Sequence, residues 1–218
     1  MKKTFVLIFS LLLILGACGD NKTKTEGTGQ DSAAAPEPAP PPAADSIAAA
    51  KKDSLLMRQA TTILQWLKNK NFAQLAAQVH PAKGVRFSPY GYIDVAGHKI
   101  LKAAELRNPD QLPEKINWGV YDGSGDPIEA GIQFYFDRFV YDKDFLKAEK
   151  KAVNQFLGSG NSLNNLKEVY PGCDFVEFYF PGFDPKYEGM DWVTLRLVFQ
   201  TEKNSTYLVG IVHDQWTI

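Results

Sequence analysis

Apolar positions along the chain fall into two rhythms. Leu56, Ala60, Ile63, Leu64 and Leu67 recur at three- and four-residue spacing, the stripe of an amphipathic helix, and Asp45 or Ser46 can cap its start. Asn69-Lys70-Asn71 breaks that stripe. Phe72, Leu75, Ala76 and Val79 then predict a short second helix. It stops at His80-Pro81, because the residue before a proline avoids the α region. Val85-Arg86-Phe87 reads as a strand after Gly84, and Lys99 to Leu101 as a shorter one. Ile116 to Tyr121 predicts a further strand, ended by the turn Asp122-Gly123-Ser124-Gly125.

The next segment is read as a helix. Asp126 fits an N-cap, Pro127 the first helical position and Glu129 a capping-box partner. Ile128, Ile132, Tyr135, Phe136 and Phe139 would form its aromatic-rich face. A strand over Lys151 to Leu157 and a turn at Gly158-Ser159-Gly160-Asn161 follow. Three strong β runs close the chain: Phe175 to Phe180, Trp192 to Gln200 and Tyr207 to Ile218. In the second run Val193, Leu195, Leu197 and Phe199 share one face, while Thr194, Arg196 and Gln200 take the other. In the third, Val209, Ile211 and His213 are assigned to one face, and Leu208, Val212, Asp214 and Trp216 to the opposite one. A strand apolar on both faces belongs inside a sheet, so Trp216 is expected to be buried. Helices first and antiparallel strands last predict an α+β fold. In it, N-terminal helices pack on a curved, mainly antiparallel sheet that ends in a long C-terminal hairpin.

The first 44 residues follow neither rhythm. Lys2 and Lys3 precede an apolar run from Phe5 to Leu15, broken only by Ser10. That run is too short to span a bilayer and has the length of a secretory h-region. Leu15-Gly16-Ala17-Cys18 resembles a bacterial lipobox, which implies a signal peptide over residues 1–17 and acylation of Cys18 as the mature N-terminus. More than one acyl chain gives stable anchoring, so the chain is expected to be held on a bacterial membrane within the cell envelope. Residues 18–44 are rich in Ala, Pro, Thr and Gly and offer nothing large to bury, which predicts a disordered tether. The single α+β domain then spans residues 45–218. Asp31-Ser32-Ala33, Asp45-Ser46-Ile47 and Asp53-Ser54-Leu55 each resemble an acceptor tripeptide of bacterial O-glycosylation, with Ser32, Ser46 and Ser54 as the acceptors.

Composition narrows the partners. With 24 Lys+Arg against 25 Asp+Glu the chain lacks the basic excess that nucleic acid demands. Two cysteines make neither a disulfide framework nor a Cys-rich zinc site, and His80, His98 and His213 form no ligand pair at metal-binding spacing. The expectation is no metal, no cofactor and no nucleic acid. The partners left are the membrane and an unknown small molecule or envelope protein.

Four stretches carry a resemblance: His80 to Tyr90, Trp118 to Gly125, Phe183 to Trp192, and Tyr207 to Ile218. On them, residues 55–218 resemble uncharacterised secreted or lipid-anchored bacterial proteins, a family that implies no particular activity. The element order is also similar to the nuclear-transport-factor-two-like (cystatin-like) cone, in which a curved antiparallel sheet encloses a pocket. That resemblance implies a fold that serves both enzymes and binders.

Candidate pocket residues are Tyr90, Tyr92, Glu177, Arg196, His213 and Asp214, with Arg196 the expected partner of Asp214. Two functions compete. One is a non-enzymatic ligand-binding or protein-interaction module; the other is a small isomerase or hydrolase using a carboxylate and a tyrosine. A closed apolar pocket that holds a raised carboxylate beside a tyrosine would favour the enzyme. A filled core with an exposed aromatic patch would favour the module.

Overall fold

The structure is a computed structural model that describes residues 44–158, 160 and 163–217. The expected signal peptide, Cys18, the expected tether and Ser32 lie outside the described residues. Among those described, no helix is long and apolar enough to cross a membrane.

The protein is α+β. Helix α1 (Ala44–Lys68) buries Leu56, Ala60, Ile63, Leu64 and Leu67, the stripe visible in the sequence. Its first three turns, residues 44–55, are exposed, and they carry Ser46 and Ser54 on the surface. Helix α2 (Phe72–Ala76) is capped by Asn71, whose side chain accepts from the Gln74 amide. His80 lies beyond this helix, not at its end. Its Nδ1 accepts from the amides of Ala82 and Lys83, and its Nε2 bonds Glu202.

Strands β1 (Val85–Ser88) and β2 (Ile100–Leu101) lead to α3 (Ala103–Arg107) and then to the hairpin β3 (Ile116–Val120) and β4 (Pro127–Ala130). Helix α4 (Ile132–Phe139), β5 (Lys150–Val153), α5 (Leu166–Val169), β6 (Asp174–Phe180), β7 (Val193–Glu202) and β8 (Ser205–Gln215) complete the chain. The main sheet runs β2-β1-β8-β7-β6-β5. It is curved without closing. Among the described strands of this sheet, only β1 against β8 is parallel.

Three expectations are corrected. Pro127–Ala130 is a strand, not the first turn of a helix, and α4 begins at Ile132 behind Gly131. Ile116 and Asn117 pair with Ala130 and Glu129, so a partner strand overrides the local capping letters. Pro127 is tolerated because β4 pairs on one side only. Ile128 is buried between exposed neighbours, a period of two. The second correction concerns β8. Its register against β7 shifts between Val198 and Phe199, a bulge that inserts Val209 as the extra residue. Leu208 therefore joins Ile211 in the main core, while Val209 joins Val212 on the opposite face, which reverses the expected assignment. Third, β8 does lie inside the sheet, between β1 and β7. It ends at Gln215, however, which leaves Trp216 exposed at 36%.

The larger core fills one face of the sheet beneath α1, α2, α4 and the β3–β4 hairpin. Its centre is aromatic. Trp118 stacks on Tyr135 at 4.0 Å, and Phe87 meets both rings edge-on. The opposite face carries a smaller cluster of Ile93, Leu166, Phe175, Val198, Val209 and Val212. Strand β8 is thus covered on both sides.

Candidate functional site

The six candidate residues separate across the sheet. Glu177 on β6 sits directly opposite Arg196 on β7, and Asp214 on β8 opposite Thr194. Strand alternation places all four side chains on the smaller-core face. Arg196 Nη1 donates to Asp214 Oδ2 at 3.0 Å, which forms the expected pair. Its Nη2 donates to Glu177 Oε1 at 3.3 Å and to the Gly158 carbonyl at 2.9 Å. Nε lies 3.2 Å from Glu177 Oε2, close enough for an ion pair though not aligned as a hydrogen bond. Glu177 also accepts from Thr194 Oγ1 at 2.8 Å and from the amides of Leu157 and Gly158. The Phe156 ring caps the guanidinium at 5.3 Å.

Burial pushes the Asp214 carboxyl above its ordinary range against the pull of Arg196. Its Oδ1 makes no well-aligned hydrogen bond, and the Gly91 backbone closes over the carboxylate, its amide helping to hold the charge. A Cβ at Gly91 would stand 2.5 Å from Asp214 Oδ2. Glu177 and Arg196 are fully buried, and they bond the segment at residues 157–158 to the sheet. The geometry is that of a clamp, since the hydrogen bonds that Arg196 and Glu177 make all go to protein groups of β6, β7, β8 and the segment at residues 157–158.

His213 occupies the main-core face, against Phe139. Its Nδ1 lies 3.2 Å from the Pro89 carbonyl, which can only accept, so that nitrogen carries a proton. Its Nε2 faces Asp142 Oδ1 at 3.2 Å, a partner that strand reasoning missed because Asp142 follows α4. Tyr90 is half-buried, edge-on to Phe139, and burial raises its phenol. Tyr92 is 52% exposed. The structure therefore brings Glu177, Arg196 and Asp214 together and leaves Tyr90, Tyr92 and His213 apart from them.

The surface holds a different assembly. Asp191 Oδ2 accepts from the amides of Phe183 and Asp184 and folds residues 183–191 into a closed loop. Burial lifts the Asp191 carboxyl, but those amides outweigh it and hold its pKa below the usual value. Glu188 and Gly189 take left-handed backbone at the loop's tip. Phe183, Tyr187 and Met190 are thereby held outward, each close to half exposed. Together with Trp216 they line a depression of about 490 Å³, along with Trp192 and Asp142. Trp216 and Gln215 also border a neighbouring depression of about 420 Å³ beside Tyr90 and Asp122. Apart from Trp216, which the strand pattern placed in the core, these residues carry no strand pattern. The available cue was an apolar residue every three or four positions inside a polar, Gly- and Pro-bearing turn too short and broken for a helix.

Among the described residues, no group of three or more His, Cys, Asp or Glu side chains could hold a metal ion. No family model, curated protein or solved structure matches the chain.

Proposed function

We propose that the protein is a non-enzymatic interaction module, displayed from a bacterial membrane on a lipidated Cys18 and a tether, and that the aromatic loop at residues 183–191 with Trp216 is its recognition surface. The observation that carries this reading is the contrast between interior and surface. The large core is filled by Trp118, Tyr135, Phe136 and Phe139, whereas four large apolar side chains gather, exposed, around one depression. Contiguous exposed apolar side chains of this kind mark sites of protein association. The enzyme alternative draws less support. Its carboxylate, Asp214, is bound into the Arg196 clamp, while Tyr90 packs on Phe139 of the main core.

Photo-crosslinking in the envelope tests the reading. A photoreactive residue in place of Tyr187 should give a discrete protein adduct that disappears when Trp216→Ala and Phe183→Ser are added. A crosslinker in place of Arg107 serves as the control. Identical adducts from the two positions would refute the surface. Cys18→Ser should leave the chain uncleaved or release it from the membrane, and unchanged cleavage and membrane association would refute the anchor.

A further inference from the structure

We infer that the domain also binds a small amphipathic anion, in a second depression at the far end of the β7–β8 hairpin from the aromatic loop. This depression has a volume of about 620 Å³. Small-molecule sites span roughly 300–1,000 Å³. Lys83, Arg86, Gln200 and the turn Tyr170–Cys173 line it, and no Asp or Glu does among the described residues.

The two cations of the lining are set for an anion. Arg86 Nη1 donates to the carbonyls of Val95 and His98 at 2.8 and 3.2 Å, which pins the guanidinium in place before any ligand arrives. Pre-organisation of this kind lowers the ordering cost of binding. Lys83 Nζ donates to Gln200 Oε1 at 2.7 Å. Burial lifts the Tyr170 phenol to about 12 despite Arg86 nearby, so the phenol, which donates to the Val209 carbonyl at 3.4 Å, adds no negative charge. Burial likewise pushes up the Cys173 thiol, which stays neutral. Asp94 feels the Arg86 charge, but it accepts the Ala96 amide and lies outside the lining. Ile100 and Val169 supply apolar wall. A carboxylate or phosphate between Lys83 and Arg86 would gain charge-assisted hydrogen bonds while its apolar body covers those two side chains.

The test titrates the full chain in detergent with phenyl phosphate, hexanoate and soluble dihexanoyl phosphatidylglycerol. Saturable binding of phenyl phosphate or hexanoate is expected, weakened at least about tenfold by Lys83→Glu and unchanged by Lys115→Glu at an exposed position away from the depression. Lys83-dependent binding of the phosphatidylglycerol alone would support the same site and identify a lipid headgroup as the source of the anion. Absence of saturable binding by all three, or equal affinity in Lys83→Glu, overturns the inference. Should Lys83→Glu fail to fold, Lys83→Met carries the same test, because it keeps the apolar stem and removes the charge.

Discussion

Replacing Arg196 with methionine isolates the cost of two buried acids without their cation. Arg196 and Glu177 are fully buried and Asp214 nearly so. Breaking a buried ion pair by removing one partner costs about 3–5 kcal/mol. The lost bond from Nη2 to the Gly158 carbonyl adds about 1 kcal/mol. A deficit of about 4–6 kcal/mol at neutral pH is therefore expected, a large fraction of the roughly 5–15 kcal/mol that holds a domain folded. The deficit should also depend on pH. Burial already raises the native pKa of Asp214 above its unfolded value of 3.8, and Arg196 opposes that rise. A raised native pKa contributes stability that is fully present below the unfolded pKa and is lost as pH rises through the native one. Removing Arg196 raises the native pKa further, so the variant's deficit widens from about pH 4 upward. Urea denaturation followed by tryptophan fluorescence, for both proteins at acid and at neutral pH, measures the difference. Adding Glu177→Gln and Asp214→Asn to Arg196→Met should recover part of the loss. A deficit under about 1 kcal/mol, or one that does not change with pH, would refute the clamp.

Three further outcomes are expected. Tyr135→Phe should be neutral or stabilising by up to about 1 kcal/mol, because the fully buried Tyr135 hydroxyl has no partner; a clear loss in thermal midpoint would show that the hydroxyl is bonded. His98, whose Nδ1 accepts the Asp94 amide, has its pKa lowered by burial from 6.5 to about 4. The unfolded chain takes up that proton first, so stability should fall as pH drops from about 6.5 to 4, by at most about 3 kcal/mol, and the slope should flatten in His98→Asn. Trp216→Ala should cost less than the roughly 3–5 kcal/mol of a core tryptophan, since Trp216 lies past the end of β8 and is 36% exposed; a loss of full core size would put it back inside the sheet.

What the sequence disclosed follows from the range over which each signal acts. The α1 stripe and the alternation of β7 are periodic over many residues, and a period survives whatever the partners turn out to be. The Arg196–Asp214 pair was legible for the same reason: both residues interrupt apolar strands that neighbour each other in the chain. Glu177 was singled out as well, though its bonds to Leu157 and Gly158 depend on a segment that no strand pattern positions. Capping letters act over four residues only. Asp126-Pro127 reads as a helix start until Ile116 and Asn117 supply a strand to pair with, and that pairing lies about ten residues away. A bulge is smaller still. One extra residue at Val209 exchanges the faces of Leu208 and Val209 while leaving Ile211, Val212 and His213 where alternation puts them. The exposed loop was the least legible feature, because apolar letters favour burial and only the fold decides which of them stay out. Phe180 and Phe183 are three positions apart and their rings meet at 5.2 Å, yet Phe180 is buried in the core and Phe183 stands 49% exposed. The difference arises at Asp191, whose carboxylate draws the amides of Phe183 and Asp184 back and turns the chain before Phe183 can follow Phe180 inward.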